Sequence, residues 1–270
     1  QYRKLRNTFR YLLGALDGFT EEERVIDVAA MPELERYMLS LLADLDAKMH
    51  QAVDDFDFNG YTRLLADFCN EDLSAFYFDI RKDVLYCDLG PAAPLGTDTR
   101  RAYRSVLDTL FHALVRYATP VLVFTAEEVW GTRYPEASSV HLLEWPELGD
   151  WVDLDLVTRW AEVPAVRRAV NEAIEPLRRE KVIRSSLEAN VVLPVPAGFS
   201  TERDLSSLNL EEICIVANVE RRSVDASDAA FEVEVAPTEN HKCGRCWRHL
   251  PEVTEDGSLC NRCDTVLDAA

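Results

Sequence analysis

Apolar residues recur at helical spacing through the first half of the chain. The opening stripe, with a period of about 3.6 residues, consists of Tyr2, Leu5, Phe9, Leu12, Leu13 and Leu16. The same spacing predicts further helices near 32–53, 61–85, 99–117 and 119–130. Pro32 and Pro120 stand where a helix can start. Long amphipathic helices joined by short turns predict a helical bundle.

The pattern changes in the second half. A short extended piece is predicted at 140–142, and a helical run over 154–183 is predicted to kink or break at Pro164 and Pro176. Segments rich in Val and Ile then have the length of strands, at 188–195, 213–219 and 231–235. The connections between them are a polar-flanked segment near 204–208 and a loop at 225–230. We therefore expect a small α/β subdomain after the bundle.

Composition limits the partners that the chain can hold. The 270 residues contain 29 Lys and Arg against 48 Asp and Glu, a net charge of -19, which argues against diffuse attraction to phosphate or anionic lipid. No apolar run approaches the roughly 20 residues that span a bilayer, so we expect no membrane partner.

Seven cysteines, an odd number, favour the reducing cytoplasm over a secreted disulfide framework. Because the chain opens at Gln1 without a signal sequence, we interpret it as a piece of a longer protein.

The strongest motif lies near the end of the chain. Two Cys-x-x-Cys pairs, Cys243 with Cys246 and Cys260 with Cys263, are separated by thirteen residues. Such pairs bring four thiolates around one tetrahedral metal ion, and Zn²⁺ favours this donor set. We predict one structural zinc ion in a zinc ribbon, because four thiolates leave no open position for a catalytic water. The competing interpretation is two redox or incidental cysteine pairs.

Other candidate ligands and nucleophiles carry weaker signals. His241 and His249 flank the first pair, but four thiolates already fill a tetrahedral shell. Cys69, Cys87 and Cys214 lie in apolar patterns, where a buried and inert thiol is expected. The sequence contains no Gly-x-Gly-x-x-Gly, no Gly-Lys-Ser/Thr loop and no His-Glu-x-x-His. Taken alone, this chain does not resemble an enzyme.

Basic residues form local clusters against the acidic background. The first is Arg3, Lys4, Arg6 and Arg10, opposite the apolar stripe; the second is Arg167, Arg168, Arg178, Arg179, Lys181 and Arg184; the third is Lys242, Arg245, Arg248 and Arg262, beside Trp247. Because screening limits charge effects to about 8 Å at physiological salt, each cluster can hold RNA locally. A solvated surface with neighbouring Glu is the alternative for each. Trp247 either caps a small core or stacks on an unpaired base.

Six segments occur in a recognisable order, at 2–14, 77–86, 124–130, 139–142, 181–189 and 243–263. Together they resemble the C-terminal part of bacterial-type isoleucyl-tRNA synthetases. The resemblance implies an anticodon-binding bundle of the class Ia synthetases, whose parent enzyme joins isoleucine to tRNA(Ile) with ATP. The family's His-x-Gly-His and Lys-Met-Ser-Lys-Ser motifs do not occur in this sequence. ATP would therefore bind only in a missing catalytic domain, and we expect neither catalytic residues nor activity in this chain alone.

The resemblance also implies partners and contact residues. The expected partners are the anticodon stem-loop of tRNA(Ile) and the catalytic domain of the same polypeptide, in a cytoplasmic monomer. The resemblance implies RNA contacts at Arg245 and Trp247, and the basic clusters add Arg3, Arg6, Arg10, Lys242 and Arg248 as expected contacts. We predict an anticodon-binding bundle over 1–150, a helical connector with the α/β subdomain over 151–236 and a zinc ribbon over 237–270. The alternative is a stand-alone zinc-ribbon module that binds nucleic acid or protein.

Overall fold

A computed structural model describes residues 1–196, 207–224 and 232–268. The chain divides into two compact units, the first made of Gln1–Leu89 and Leu95–Asp153, the second of Gly90–Pro94 and the chain from Leu154. The division into 1–150, 151–236 and 237–270 stays a prediction. The loop predicted at 225–230 and most of the segment at 204–208 lie outside the described residues.

The first unit is the predicted helical bundle. Its helices are α1 (Tyr2–Ala15), α2 (Glu33–Asp54), α3 (Phe58–Asp67), α4 (Phe78–Cys87), α5 (Asp98–Ala118) and α6 (Val123–Arg133). A π-helical segment, Phe68–Tyr77, joins α3 to α4. The segment predicted at 61–85 is therefore helical throughout, with a wider turn in its middle.

Two local predictions in this unit were wrong. The helix predicted to begin at residue 119 begins at Val123 instead. The preceding helix α5 continues to Ala118, and a turn follows in which the N–H of Leu122 donates to the carbonyl of Ala118 at 2.7 Å. Residues 140–142 form a 3-10 turn rather than an extended piece. The hydroxyl of Ser139 accepts from the N–H of His141 at 3.2 Å and caps that turn.

Aromatic residues fill the core of the bundle around α5. Tyr77, Tyr103 and Tyr117 are fully buried, so their hydroxyl groups need partners. The Tyr103 hydroxyl lies 2.8 Å from that of Tyr11, and the Tyr117 hydroxyl donates to the carboxylate of Asp46 at 2.5 Å. These hydrogen bonds link α1, α2 and α5.

Ion pairs between distant segments are also buried in this unit. The guanidinium of Arg81 donates to both carboxylate oxygens of Glu35, at 2.7 and 2.8 Å, and Glu35 has no exposed surface. Arg104 pairs with the buried carboxylate of Glu23 at 2.5 Å. Each charge is compensated by a partner of opposite sign, which buried charges require.

The second unit contains α7 (Leu154–Trp160), α8 (Val163–Arg179), β1 (Ala189–Pro196), α9 (Leu210–Cys214), β2 (Asn218–Val224), β3 (Glu234–Pro237) and α10 (Asn261–Leu267). The predicted helical run breaks before α8, where Pro164 occupies the first turn. Pro176 lies inside α8 without ending it.

The strand predicted at 213–219 was wrong in its first part. Ile213 and Cys214 end α9, which the side chain of Asn209 caps, and Ile215 leaves the helix with a φ of 57°. The strand β2 begins only at Asn218. Strands at the other two predicted positions are present as β1 and β3, although Phe231 lies outside the described residues.

The three strands form one sheet in the order β2-β1-β3. β1 is parallel to β2, with Val191 opposite Val219, and antiparallel to β3, with Val191 opposite Val235. The prediction of a mainly helical chain with a small α/β part is confirmed. Within the described ranges, no helix combines the length and the apolar character needed to cross a membrane.

Candidate metal centre and nucleic-acid interface

Four cysteine side chains meet in the second unit. Cys243 and Cys246 come from one turn, Cys260 is the residue before α10, and Cys263 lies in the first turn of α10. All four are buried, and their Sγ atoms all lie within 4.8 Å of one another. The two Cys-x-x-Cys segments therefore converge on one point, as their spacing predicts.

Glycine allows this convergence. A Cβ atom at Gly244 would lie 2.3 Å from the carbonyl oxygen of Gly257, so a side chain at position 244 would force the two loops apart. The N–H of Gly244 donates to Ser258 at 3.0 Å, and the N–H of Gly257 donates to Lys242 at 2.9 Å. Gly257 has a φ of 98°, which glycine adopts without steric cost. Backbone contacts thus hold the cysteine turns together.

The sulfur positions fit a tetrahedral metal ion. A regular tetrahedron with metal–sulfur bonds of ~2.3 Å places its sulfur atoms about 3.8 Å apart. The Sγ atoms of Cys246 and Cys260 are 3.8 Å apart. Four buried cysteines are also the donor set of structural zinc sites. The cluster can therefore hold a metal ion.

The electrostatics of the cluster favour a bound cation. Burial acts to raise the pKa of Cys243, but N–H groups from Arg245, Cys246 and Cys260 outweigh it and lower the pKa to about 6. Burial and the neighbouring Cys260 raise the pKa of Cys263 to about 11. Thiolates packed this closely repel one another, and a cation among them removes that repulsion.

The flanking histidines have other contacts. Nδ1 of His249 donates to the carbonyl of Asn240 at 2.8 Å, and Nδ1 of His241 lies 3.5 Å from the carboxylate of Asp256. Among the residues that the structure describes, the candidate ligand group consists of the four cysteines alone. The remaining thiols are buried elsewhere, and burial raises the pKa of both Cys69 and Cys214 to about 12, as expected for inert cysteines.

Trp247 follows the first cysteine pair and lies on the surface. Its side chain is 61% exposed, so the ring does not cap a core. The backbone has a φ of 66°, a left-handed conformation that costs a non-glycine residue roughly 1–2 kcal/mol. Its N–H donates to the carbonyl of Cys243 at 3.1 Å, which ties this conformation to the metal turn.

A cation lies over this ring. The Nζ atom of Lys242 is 5.0 Å from the centroid of the Trp247 ring, within the range of a cation–π contact. Lys242 is exposed, whereas Arg245 and Arg248 are half-buried. The sequence predicted that these residues form one cluster. It did not predict the left-handed backbone at Trp247, because that conformation is normally indicated by a glycine in the sequence.

The predicted basic face of α1 is present in the first unit. Arg3, Arg6 and Arg10 are exposed, while Leu5, Phe9 and Leu12 on the opposite side are buried. The contact of Arg6 with Glu128 is long, at 4.0 Å, and both side chains are largely exposed. Exposed pairs of this kind contribute little to stability. These arginines remain accessible to an anionic ligand.

The second basic cluster differs from its prediction at Arg167. This side chain is buried in α8, and its Nε donates to the carbonyl of Ile213 at 2.8 Å. Arg178 and Arg179 approach Glu175, at 3.6 and 3.8 Å. Arg167 therefore holds α9 against α8 instead of offering its charge to a ligand.

Comparison with known proteins identifies a matching family and similar proteins. Residues 35–193, more than half of the chain, match the family described as the anticodon-binding domain of tRNA ligase. The isoleucine–tRNA ligase of Zymomonas mobilis is 62% identical over 267 residues, which cover 98% of this chain and 28% of that protein.

Other relatives carry the same name. The isoleucine–tRNA ligase of Gluconobacter oxydans is 46% identical over 99% of this chain and 28% of its own length, and that of Caulobacter vibrioides is 44% identical over 94% and 26%. The chain thus spans little more than a quarter of the length of these relatives.

Proposed function

Because the chain belongs to the family of anticodon-binding domains of tRNA ligases, we propose that it is the tRNA-recognition part of an isoleucine–tRNA ligase. Its RNA is tRNA(Ile), and the whole ligase attaches isoleucine to that tRNA with ATP. The 62% identity to the Zymomonas mobilis ligase supports this substrate. The proposal includes a cytoplasmic monomer, a catalytic domain in the same polypeptide, and the domain division at 150 and 236.

The exposed ring of Trp247 is the observation that carries RNA recognition. Its left-handed backbone stores strain, and stored strain concentrates at functional sites. An exposed ring stacks on an unpaired base, while Lys242, Arg245 and Arg248 supply positive charge for the adjoining phosphates. Arg3, Arg6 and Arg10 on α1 contact further phosphates.

The overall charge is compatible with this proposal. The net charge of -19 is unfavourable for binding RNA. At physiological salt, however, screening limits the repulsion from each acidic group to a distance of about 8 Å. Exposed arginines on one face of α1 attract phosphate within this distance. The acidic surface elsewhere then disfavours indiscriminate binding, so that RNA is held only where these cations lie.

The metal proposed at the cysteine cluster is zinc. Cys243, Cys246, Cys260 and Cys263 would hold it through four thiolates, and its contribution is to stabilise the fold of the ribbon. The backbone hydrogen bond from the N–H of Trp247 to the carbonyl of Cys243 makes the position of the Trp247 ring depend on the cysteine turn at Cys243 and Cys246. Metal and RNA contact are thereby linked through one residue.

Binding of the 270-residue chain to a tRNA(Ile) transcript tests the function. Affinity is measured at fixed salt against a transcript that differs only in its three anticodon nucleotides, with duplex DNA as a competitor. We expect weaker binding to the altered transcript and little competition from DNA. Equal affinity for both transcripts, or equal competition by DNA, would favour a stand-alone zinc-ribbon module and overturn the proposal.

A further inference from the structure

An acidic side chain lies among the cations proposed to contact RNA. Asp256 is exposed, and its carboxylate accepts a hydrogen bond from the N–H of Lys242 at 2.8 Å. A carboxylate at a phosphate-binding surface repels the ligand, so its charge opposes the binding that the charge of Lys242 favours. The hydrogen bond to Lys242 gives this carboxylate a different part in the site.

The turn that carries Asp256 holds the backbone of Lys242 at two points. The N–H of Ser258 donates to the carbonyl of Glu255 at 3.1 Å and closes the turn. The Asp256 carboxylate accepts from the N–H of Lys242, and the N–H of Gly257 donates to the carbonyl of Lys242 at 2.9 Å. Both polar backbone groups of Lys242 are therefore occupied by one turn.

The fixed backbone decides where the side chain of Lys242 points. Lys242 pairs with His249 in an antiparallel bridge, so its backbone is extended. Successive side chains of an extended segment point to opposite sides. The side chain of Cys243 is buried in the cysteine cluster, and that of Lys242 therefore points outwards. On that side its Nζ lies 5.0 Å from the centroid of the Trp247 ring.

The ammonium group covers one face of the Trp247 ring. A lysine side chain is flexible and a cation–π contact at an exposed site is weak, so the contact depends on a backbone that aims the side chain at the ring. The Trp247 side chain remains 61% exposed, which leaves the second face of the ring open. Bases stack on the free faces of aromatic rings. Trp247 therefore has room for one base.

We propose that Asp256 is a positioning residue for tRNA recognition: it fixes the backbone of Lys242, whose ammonium group covers one face of Trp247 and leaves the other face for a single unpaired base. This inference rests on the proposed function and deepens it. The ammonium group also supplies charge for the phosphate beside the stacked base. Solvent and salt screen a single exposed carboxylate, so the gain from orienting Lys242 exceeds the repulsion from Asp256.

Three substitutions in the turn test this role through the affinity of the zinc-loaded chain for the tRNA(Ile) transcript. Asp256→Ala removes the hydrogen bond and should weaken binding by about two- to fivefold, the factor that corresponds to one exposed cation–π contact, although it also removes a negative charge. Asp256→Asn keeps an oxygen acceptor and removes the charge, so its affinity should equal or exceed that of the unsubstituted chain. Glu255→Ala is the matched control and should not weaken binding, because it removes a neighbouring exposed charge and keeps the carbonyl that closes the turn.

A fourth variant separates the orientation of Lys242 from folding. Lys242→Met leaves the turn in place and should weaken binding at least as far as Asp256→Ala, and adding Asp256→Ala to it should weaken binding no further. Elemental analysis should find the same zinc content in every variant. The role of Asp256 would be overturned by unchanged affinity in Asp256→Ala, by an equal loss in Asp256→Asn, by an undiminished effect in the Lys242→Met background, or by loss of zinc from Asp256→Ala.

Transcripts with one abasic site test the single stacked base. The site is placed at each unpaired position of the anticodon loop in turn. Trp247→Ala should weaken binding of every transcript except one, whose missing base is the base that stacks. Loss of the effect at two positions, or at none, would contradict a single base. The proposed function fails if the unsubstituted chain ignores the anticodon, whereas only the role of Asp256 fails if that chain reads the anticodon and Asp256→Ala binds equally well.

Discussion

The ammonium group of Lys242 lies over the ring of Trp247, 5.0 Å from its centroid. Such a contact at an exposed site is worth about 0.5–1 kcal/mol. It restricts the orientation of the ring at a position where the backbone is already fixed by the cysteine turn. The same pair supplies a stacking surface and a positive charge, the two features that bind single-stranded RNA.

Two substitutions of Trp247 separate the contribution of its ring to RNA binding from the cost of its left-handed backbone. Trp247→Ala should weaken binding of the tRNA(Ile) transcript by about 1–3 kcal/mol, because base stacking is lost. Trp247→Gly should weaken binding equally but resist unfolding more than the Ala variant by roughly 1–2 kcal/mol, because glycine relieves the left-handed strain. Fluorescence anisotropy measures binding, and urea titration measures unfolding. Unchanged affinity in a folded variant would remove Trp247 from the interface.

Replacing the three arginines of α1 changes the salt dependence of binding. With Arg3, Arg6 and Arg10 changed to Gln, the slope of log affinity against log salt should become shallower by about 0.7–0.9 for each lost phosphate contact. Lys48→Gln is the matched control, since Lys48 is an exposed cation on α2 that pairs with Asp44 at 2.6 Å. The interface on α1 is refuted by a slope that the arginine substitutions leave unaltered.

Metal analysis tests the cysteine cluster. The purified chain should contain about one zinc ion, as expected for a single structural site with four thiolates. Cys260→Ser should lose the metal, and Cys69→Ala, at a buried cysteine in the first unit, should retain it. Elemental analysis of each protein measures the content. Chelation should broaden the NMR signals of 241–267, and sharp signals without metal would contradict the proposed role.

Stability should fall in mild acid because of His112. Burial lowers the pKa of this histidine to about 4, although Asp108 opposes the shift, while Arg133 and Arg116 add to it. The unfolded chain binds a proton near pH 6.5, so protons favour unfolding between these values. We expect the free energy of unfolding to fall by about 2–3 kcal/mol from pH 7 to pH 4 on this account. Urea titration of His112→Gln should show a smaller fall, and an identical fall would exclude His112.

The buried pair of Glu35 and Arg81 gives a further test. Arg81→Met should lower the free energy of unfolding by about 3–5 kcal/mol, because it leaves a buried carboxylate without its partner. Adding Glu35→Leu should recover much of that loss, because no uncompensated charge then remains. Urea titration of the two variants measures the difference. A double variant as unstable as the single one would show that packing, rather than charge, is responsible.

Local patterns predicted much of this molecule. The apolar stripe of α1 and the apolar positions along α5 predict buried helix faces. The spacing of the four cysteines predicts that their side chains converge. The strand predicted at 213–219 failed because a short apolar run does not distinguish a buried helix end from a strand. The cap at Asn209 and the left-handed Ile215 decide that case, and both depend on contacts within the fold.

The sequence by itself determined the helical bundle, two of the three strands and the four-cysteine cluster, because periodicity and ligand spacing act over a few neighbouring residues. Only the tertiary structure decided that Arg81 meets Glu35, that Arg167 is buried and that Trp247 faces water. Among 48 acidic residues, the sequence cannot select the partner of a given arginine. That choice follows from helix packing, which brings together residues far apart in the chain.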